Sequence, residues 1–303
     1  MTPIEGELMP EEIQVESRRA DAPDAALQHV DIEAALRVEI GGKERQVEDA
    51  CVAGHEGMWI ARGHREWQKA TTDPSGNHNM DRTRRTVVQA LARLLIDRAR
   101  RRPADVLRAA VTGITASGKS TLADELCACV RELGTQCTRL AVDGFHNPRA
   151  IRYRRGRESA EGYYRDAYDL LRQRVLEPLA PGGSLSYAPR AFDLHADAPV
   201  DDPPEHAPPG SIIVLDASFL LRPEIRDCFD YRTFVQTSFE VAEARGFRRD
   251  ATALGGETEA LRLYRVRYHE AQRLHLCEAR PLEHADAIVV NDDVSAPVLF
   301  TRA

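Results

Sequence analysis

The sequence predicts an α/β fold: a doubly wound, mostly parallel sheet with helices on both faces. Three observations predict it. Short, nearly continuous apolar runs recur along the chain: "VLRAAVTG" (106–113), "CTRLAVD" (137–143), "SIIVLD" (211–216), "YRTFVQT" (231–237) and "ADAIVV" (285–290). Helical segments lie between several of them. A glycine-rich run, "GITASGKST" from Gly113 to Thr121, leaves the first strand and opens a helix. Apolar runs of this kind are strands buried on both faces, and their alternation with helices is how a parallel sheet is written in sequence.

Taken in order, residues 1–79 come first. They hold 16 acidic and 8 basic side chains, so the formal charge of −7 over 303 residues is set there and the remainder is nearly neutral. No period of either kind is sustained in them, and a poorly structured N-terminal extension is expected. The run "KERQVEDACVAGHEGMWIARGHREW" within it has room for a short hairpin or helix. From Met80 the character changes, and 80–303 is expected to be one domain. Val87, Val88, Leu91, Leu94 and Leu95 recur at helical spacing, and Pro103 marks the stop. Arg98, Arg100, Arg101 and Arg102 fit a solvated helix end better than a nucleic-acid patch. "STLADELCACVREL" reads as a helix closed by Gly134, and a proline-rich loop precedes the strand at 211.

Composition excludes several classes. No run approaches the 18 or more apolar residues of a membrane span. The N-terminus lacks an apolar signal core, so a cytoplasmic location is expected. The balanced charge after residue 79 gives no footprint for nucleic acid. None of the six cysteines forms a C-x-x-C pair, and all are expected to be reduced thiols. In "HEAQRLH" (269–275) the histidines are six apart, so a helix does not bring them to one face as a zinc pair. The N-K-x-D motif of GTPases and the G-x-S-x-G elbow of hydrolases are absent.

The chemistry lies in Gly113, Ile114, Thr115, Ala116, Ser117, Gly118, Lys119, Ser120 and Thr121. This is G-x-x-x-x-G-K-[ST], the P-loop that cradles the phosphates of a nucleoside triphosphate. Glycines let successive backbone amides turn inward, and the helix that follows adds its positive end. Lys119 can reach the β- and γ-phosphates, and Ser120 can ligate Mg²⁺. Asp216 and Asp143 each end an apolar strand. In an open parallel sheet ligands bind at those ends. Each aspartate is therefore either a cap after its strand or part of the phosphate site, one holding the metal and the other taking the acceptor's proton.

These residues resemble the uridine kinase/phosphoribulokinase family of P-loop kinases over roughly Leu107 to Asp292. The likeness rests on "GITASGKST", "VDGFH" (142–146), "YYRDAYDL" (163–170), "IIVLDASFLL" (212–221), "RGFRRD" (245–250) and "EHADAIVV" (283–290). The resemblance implies a P-loop NTPase fold with a helical lid, and ATP and Mg²⁺ as cofactors. It implies Asp143 as general base, with Lys119 and the loop amides on ATP, and Ser120 and Asp216 at the metal. Arg245, Arg248 and Arg249 would lie on the lid over the phosphates, with Arg249 in a catalytic role. His146, Tyr163, Tyr164 and Asp166 would line the acceptor pocket. Tyr187, Phe192 and His195 would meet a nucleobase.

Two departures leave the acceptor open. Tyr163 stands near where uridine kinases carry an aspartate for the ribose, and "ALGG" (253–256) replaces an Arg-Gly-Arg. The run "RAIRYRRGR" (149–157) is either a solvated loop or a clamp for an anionic acceptor such as a sugar phosphate or pantothenate. The expected function is ATP-dependent phosphoryl transfer to a hydroxyl of a small molecule, a nucleoside first. The alternatives are a kinase of another acceptor and an ATP-binding regulatory module without transfer. The only partners expected are ATP and that acceptor, with no nucleic acid and no membrane; the sequence leaves the oligomeric state open.

Overall fold

The computed structural model describes residues 84–302 together with three short strands, Glu39–Ile40, Lys43–Glu44 and Trp67–Lys69. The chain divides into two units, 1–46 and 47–303. In the first, Glu39–Ile40 pairs antiparallel with Lys43–Glu44.

The second unit is built on a seven-stranded sheet. Its spatial order is Trp67–Lys69, Val298–Arg302, Ala287–Val290, Tyr231–Gln236, Leu107–Gly113, Ile212–Ala217 and Cys137–Ala141. The five strands from Ala287–Val290 to Cys137–Ala141 run parallel, and Val298–Arg302 and then Trp67–Lys69 are added at one edge, each antiparallel to the strand before it. All five apolar runs of the sequence are therefore strands. Strand Trp67–Lys69, from within residues 1–79, pairs with Val298–Arg302 at the sheet edge. Apart from the three short strands, residues 1–79 lie outside the described residues.

The continuous apolar strands follow from burial on both faces. Side chains alternate with period two along a strand, and here the alternation sorts them into two cores. Ile212 and Val214 join the core shared with helices Arg84–Arg100 and Lys119–Glu132. Ile213 and Leu215 join a second core with Leu171, Val175, Leu176 and Leu179. The predicted helical stripe behaves the same way. Val87, Val88, Leu91 and Leu95 are buried in the first core, and Leu94 packs against it.

Because the strands are parallel, their C-terminal ends share one edge. Asp216 pairs in register with Ala141, two residues before Asp143, and Leu107–Gly113 delivers the P-loop beside them. Helix Phe239–Leu254 carries the lid sequence, capped by Ser238, whose Oγ accepts from the Val241 amide at 3.4 Å. It packs on helix Glu257–Leu263 and the π-helical turn Tyr264–His269, which continues into helix Glu270–Glu278. Gly246 lets Tyr264 approach, since a Cβ there would overlap its ring. The Tyr264 hydroxyl then reaches Asp250 Oδ2 at 2.7 Å. No helix among the described residues is long and apolar enough to cross a membrane.

Candidate active site

The P-loop is held from below. The Ser117 carbonyl accepts from Asn291 Nδ2 at 2.7 Å and from Thr237 Oγ1 at 3.2 Å. Asn291 Oδ1 in turn accepts from Arg84 Nη1 at 3.0 Å, and Arg84 Nε is 2.7 Å from Glu125. Ala116 and Gly118 adopt positive φ, 65° and 89°. At Gly118 a Cβ would stand 2.6 Å from Asn291 Nδ2, so only glycine fits. Helix Lys119–Glu132 then begins without a side-chain cap and without an acidic residue in its first turn. Its amides are free for an anion.

Above the loop lies a cleft of about 290 Å³. Thr115, Lys119 and Ser120 line it on the loop side. Asp143, His146, Tyr163, Asp166, Asp216 and Arg249 line it too, so the fold gathers these predicted residues into one place. Ser120 Oγ donates to Asp216 Oδ2 at 2.7 Å. Burial lowers the Lys119 pKa to about 8, against the pull of Asp143 and Asp216.

Asp143 follows its strand in a short 3₁₀ turn, Val142–Phe145, which turns the carboxylate into the cleft and brings His146 beside it. His146 Nε2 is 3.3 Å from Asp143 Oδ1, and Nδ1 is 3.3 Å from Asp166 Oδ2. Asn147 Nδ2 fixes the other Asp166 oxygen at 2.8 Å. Burial opposes a charge on His146, but the two carboxylates outweigh it and raise its pKa to about 9. The bond from His146 holds Asp143 below the ordinary carboxylate range, against the effect of burial. The result is an imidazole between two carboxylates that favour its charged form.

Some predicted residues lie elsewhere. Tyr164 is buried against Phe219 and His275 and does not line the cleft. His195 is exposed on the turn after Phe192, and its contacts there are through its backbone. Tyr187 is buried with its hydroxyl on Glu205 at 2.7 Å. Arg245 donates to the carbonyls of Asn291 (3.0 Å) and Asp292 (2.6 Å), so it ties the lid helix to the sheet. Arg248 lies over Phe247 and is absent from the cleft wall. Of the three lid arginines only Arg249 lines the cleft. Its guanidinium pairs with Asp250 at 2.8 Å, which raises its pKa further.

Sequence reasoning missed Arg139, Tyr168, Phe219 and Asp250, all in the cleft wall. Arg139 is the most consequential. Its Nε and Nη2 bind both Asp216 oxygens, at 2.8 and 3.1 Å, and Nη1 binds Asp124 at 2.9 Å. A charged residue in the interior of the strand run "CTRLAVD" was the available signal.

The donor set fits Mg²⁺. Among the described residues no three His, Cys, Asp or Glu converge as a dedicated metal cage. Mg²⁺ in nucleotide sites needs no such cage: it takes one or two protein oxygens, substrate phosphates and water. Ser120 Oγ and Asp216 Oδ2, 2.7 Å apart, are oxygens of that kind. The uncapped loop amides and Lys119 fit a polyphosphate.

This is the fold of the P-loop kinases. A structure described as "a Possible Uridine Kinase from Bacillus stearothermophilus" superposes with a TM-score of 0.53 at 21% identity, over 67% of this chain and 97% of that one. One described as a "putative fructose transport system kinase from Silicibacter sp. TM1040" gives a TM-score of 0.48 at 21% identity, over 65% and 94%. No family model matches the sequence, and no curated protein matches it.

Proposed function

We propose that the protein is a Mg²⁺- and ATP-dependent kinase that phosphorylates a hydroxyl of a small molecule, a nucleoside or an alcohol of similar size. The observation that carries this reading is the convergence of Asp143, Lys119, Ser120 and Asp216 on one cleft. A regulatory nucleotide-binding module has no need of a carboxylate base there.

Lys119, the loop amides and Arg249 would hold the phosphates. Ser120 and Asp216 would hold the metal, which supplies charge neutralisation at the phosphates. Asp143 would take the proton. The acceptor O–H bond breaks toward Asp143 as the acceptor oxygen bonds to the γ-phosphorus, and the β,γ-bridging oxygen leaves with ADP. His146 engages Asp143 Oδ1 and so leaves Oδ2 for the acceptor hydroxyl. As a cation it keeps Asp143 ionised and ready to accept.

The test is ADP release with ATP and Mg²⁺, with and without a panel of nucleosides, sugars and pantothenate. Stimulation by one class of acceptor is expected. Nucleotide binding with ADP release that no acceptor changes would favour the regulatory module instead.

A further inference from the structure

Three arginines are buried among the described residues: Arg108, Arg222 and Arg267. Arg108 is paired with Asp230 at 3.0 Å. Arg222 donates to the carbonyls of Tyr164 and Asp166 and lies 3.5 Å from Glu224. Arg267, 7% exposed, has no hydrogen bond or ion pair among the described residues, and its Nε is sealed from solvent without a partner. Its guanidinium carbon stands 4.9 Å from the ring centroid of Tyr163 and 5.4 Å from those of Tyr153 and Tyr268.

Rings alone are an incomplete answer to a buried cation. Each ring attracts the cation weakly through its face, but none supplies an acceptor for the five N–H donors in the guanidinium plane. Desolvating an ion is costly unless it is paired and hydrogen-bonded. The surroundings add positive charge, since the guanidinium carbon of Arg152 also lies 5.2 Å from the centroid of the Tyr153 ring. Arg267 also sits in a π-helical turn, Tyr264–His269, a distortion that occurs frequently at functional sites. Beyond it on the same helical stretch, Gln272 Nε2 and both ring nitrogens of His275 are buried without partners.

We propose that Arg267 receives an anionic oxygen group, a phosphate ester or a carboxylate, carried by the acceptor. Within the hydroxyl compounds that the kinase reading admits, this selects those that also carry an anion, such as a sugar phosphate or a hydroxy acid, over an uncharged nucleoside. Calling the ligand an acceptor rests on the kinase reading of the cleft. Of the three rings around Arg267, Tyr163 alone lines that cleft, in company with His146 and Asp166. The nucleotide's phosphates have cations of their own in Lys119 and Arg249. The planar guanidinium fork suits bidentate capture of a phosphate or carboxylate. Held only by ring contacts, it can turn to an oxyanion without breaking a hydrogen bond.

Matched pairs that differ in the anion test the proposal: ribose and ribose 5-phosphate, uridine and uridine 5′-monophosphate, panthenol and pantothenate. Initial rates of ADP release and calorimetric binding are measured for each. One anionic member is expected to have a KM at least tenfold below its neutral partner. Arg267→Gln should raise that KM by roughly 10- to 100-fold, with kcat and nucleotide affinity nearly unchanged. Arg267→Lys, which keeps the charge and loses the fork, should recover part of the loss. Melting curves establish that both variants fold. Equal use of the neutral partner, an unchanged KM in Arg267→Gln, or binding by none of the three anions overturns the proposal. So does a loss confined to ATP affinity, which would assign Arg267 to the nucleotide. If an anion binds through Arg267 yet no acceptor stimulates ADP release, the kinase reading fails and the anion site stands.

Discussion

Arg139 lines the cleft, Arg267 lies over the ring of Tyr163 in the cleft wall, and the fold treats the two in contrary ways. Arg139 is bound to two carboxylates, Asp216 and Asp124. Arg267 has three tyrosine rings and, among the described residues, no hydrogen-bonded oxygen. A cation paired in this way holds the protein together, and a buried cation left unpaired points to a ligand.

Stability measurements break or sharpen that contrast. Arg139→Met leaves Asp216, 4% exposed, without its counter-ion. Removing one partner of a buried pair costs about 3–5 kcal/mol, and a loss near the lower end is expected because Arg139 is partly exposed. Arg267→Met removes an unpaired charge and puts an apolar chain among rings, so its midpoint in urea should stay level or rise. Comparable losses in the two variants would erase the distinction.

A smaller effect comes from His146, whose cation is paired on both sides. Its pKa is about 9 in the folded protein, against about 6.5 unfolded. The extra stability is fully present below about pH 6.5 and is lost as pH rises through about 9. The loss should be on the order of 2 kcal/mol. Asp143 and Asp166 flank the ring; Lys119 and Arg139 act on Asp143, and Arg152 on Asp166. His146→Gln should flatten the profile between those limits. An unchanged slope would mean that the imidazole is not charged there.

The smallest effect concerns the sheet edge. Trp67–Lys69 pairs with Val298–Arg302, and Arg302 lies 4.9 Å from the Trp67 ring. A chain beginning at Met80 should fold and bind nucleotide, but lose roughly 1 kcal/mol, the order of a few cross-strand contacts. A melting temperature equal to that of the full chain would place the domain boundary at Met80.

The parallel sheet and the P-loop were legible because each depends on local pattern. Five apolar runs are strands, and the glycines at 113 and 118 sit where a Cβ would clash. Residues placed by long-range packing were not. Tyr164 and Tyr163 are neighbours in "YYRD", yet only Tyr163 lines the cleft, because the short helix Ala160–Tyr164 turns Tyr164 into the core. Arg245 and Arg249 are one helical turn apart, yet Arg245 is taken by the carbonyls of Asn291 and Asp292. Edge strand Trp67–Lys69 is three residues long, too short to carry a period. Arg267 lies among six other charged or histidine side chains in "RLYRVRYHEAQRLH" (262–275), and only the folded chain shows that it is buried and unpaired.

The most direct test of the central claim is Asp143→Asn, with turnover on the best acceptor measured beside nucleotide affinity by calorimetry. Asn keeps the shape and loses the base, and general-base assistance contributes about 10²–10⁴-fold. Turnover should fall by that range while nucleotide affinity, set by the P-loop, stays within about twofold of wild type. Near-wild-type turnover in Asp143→Asn would contradict the account and remove Asp143 from the chemistry.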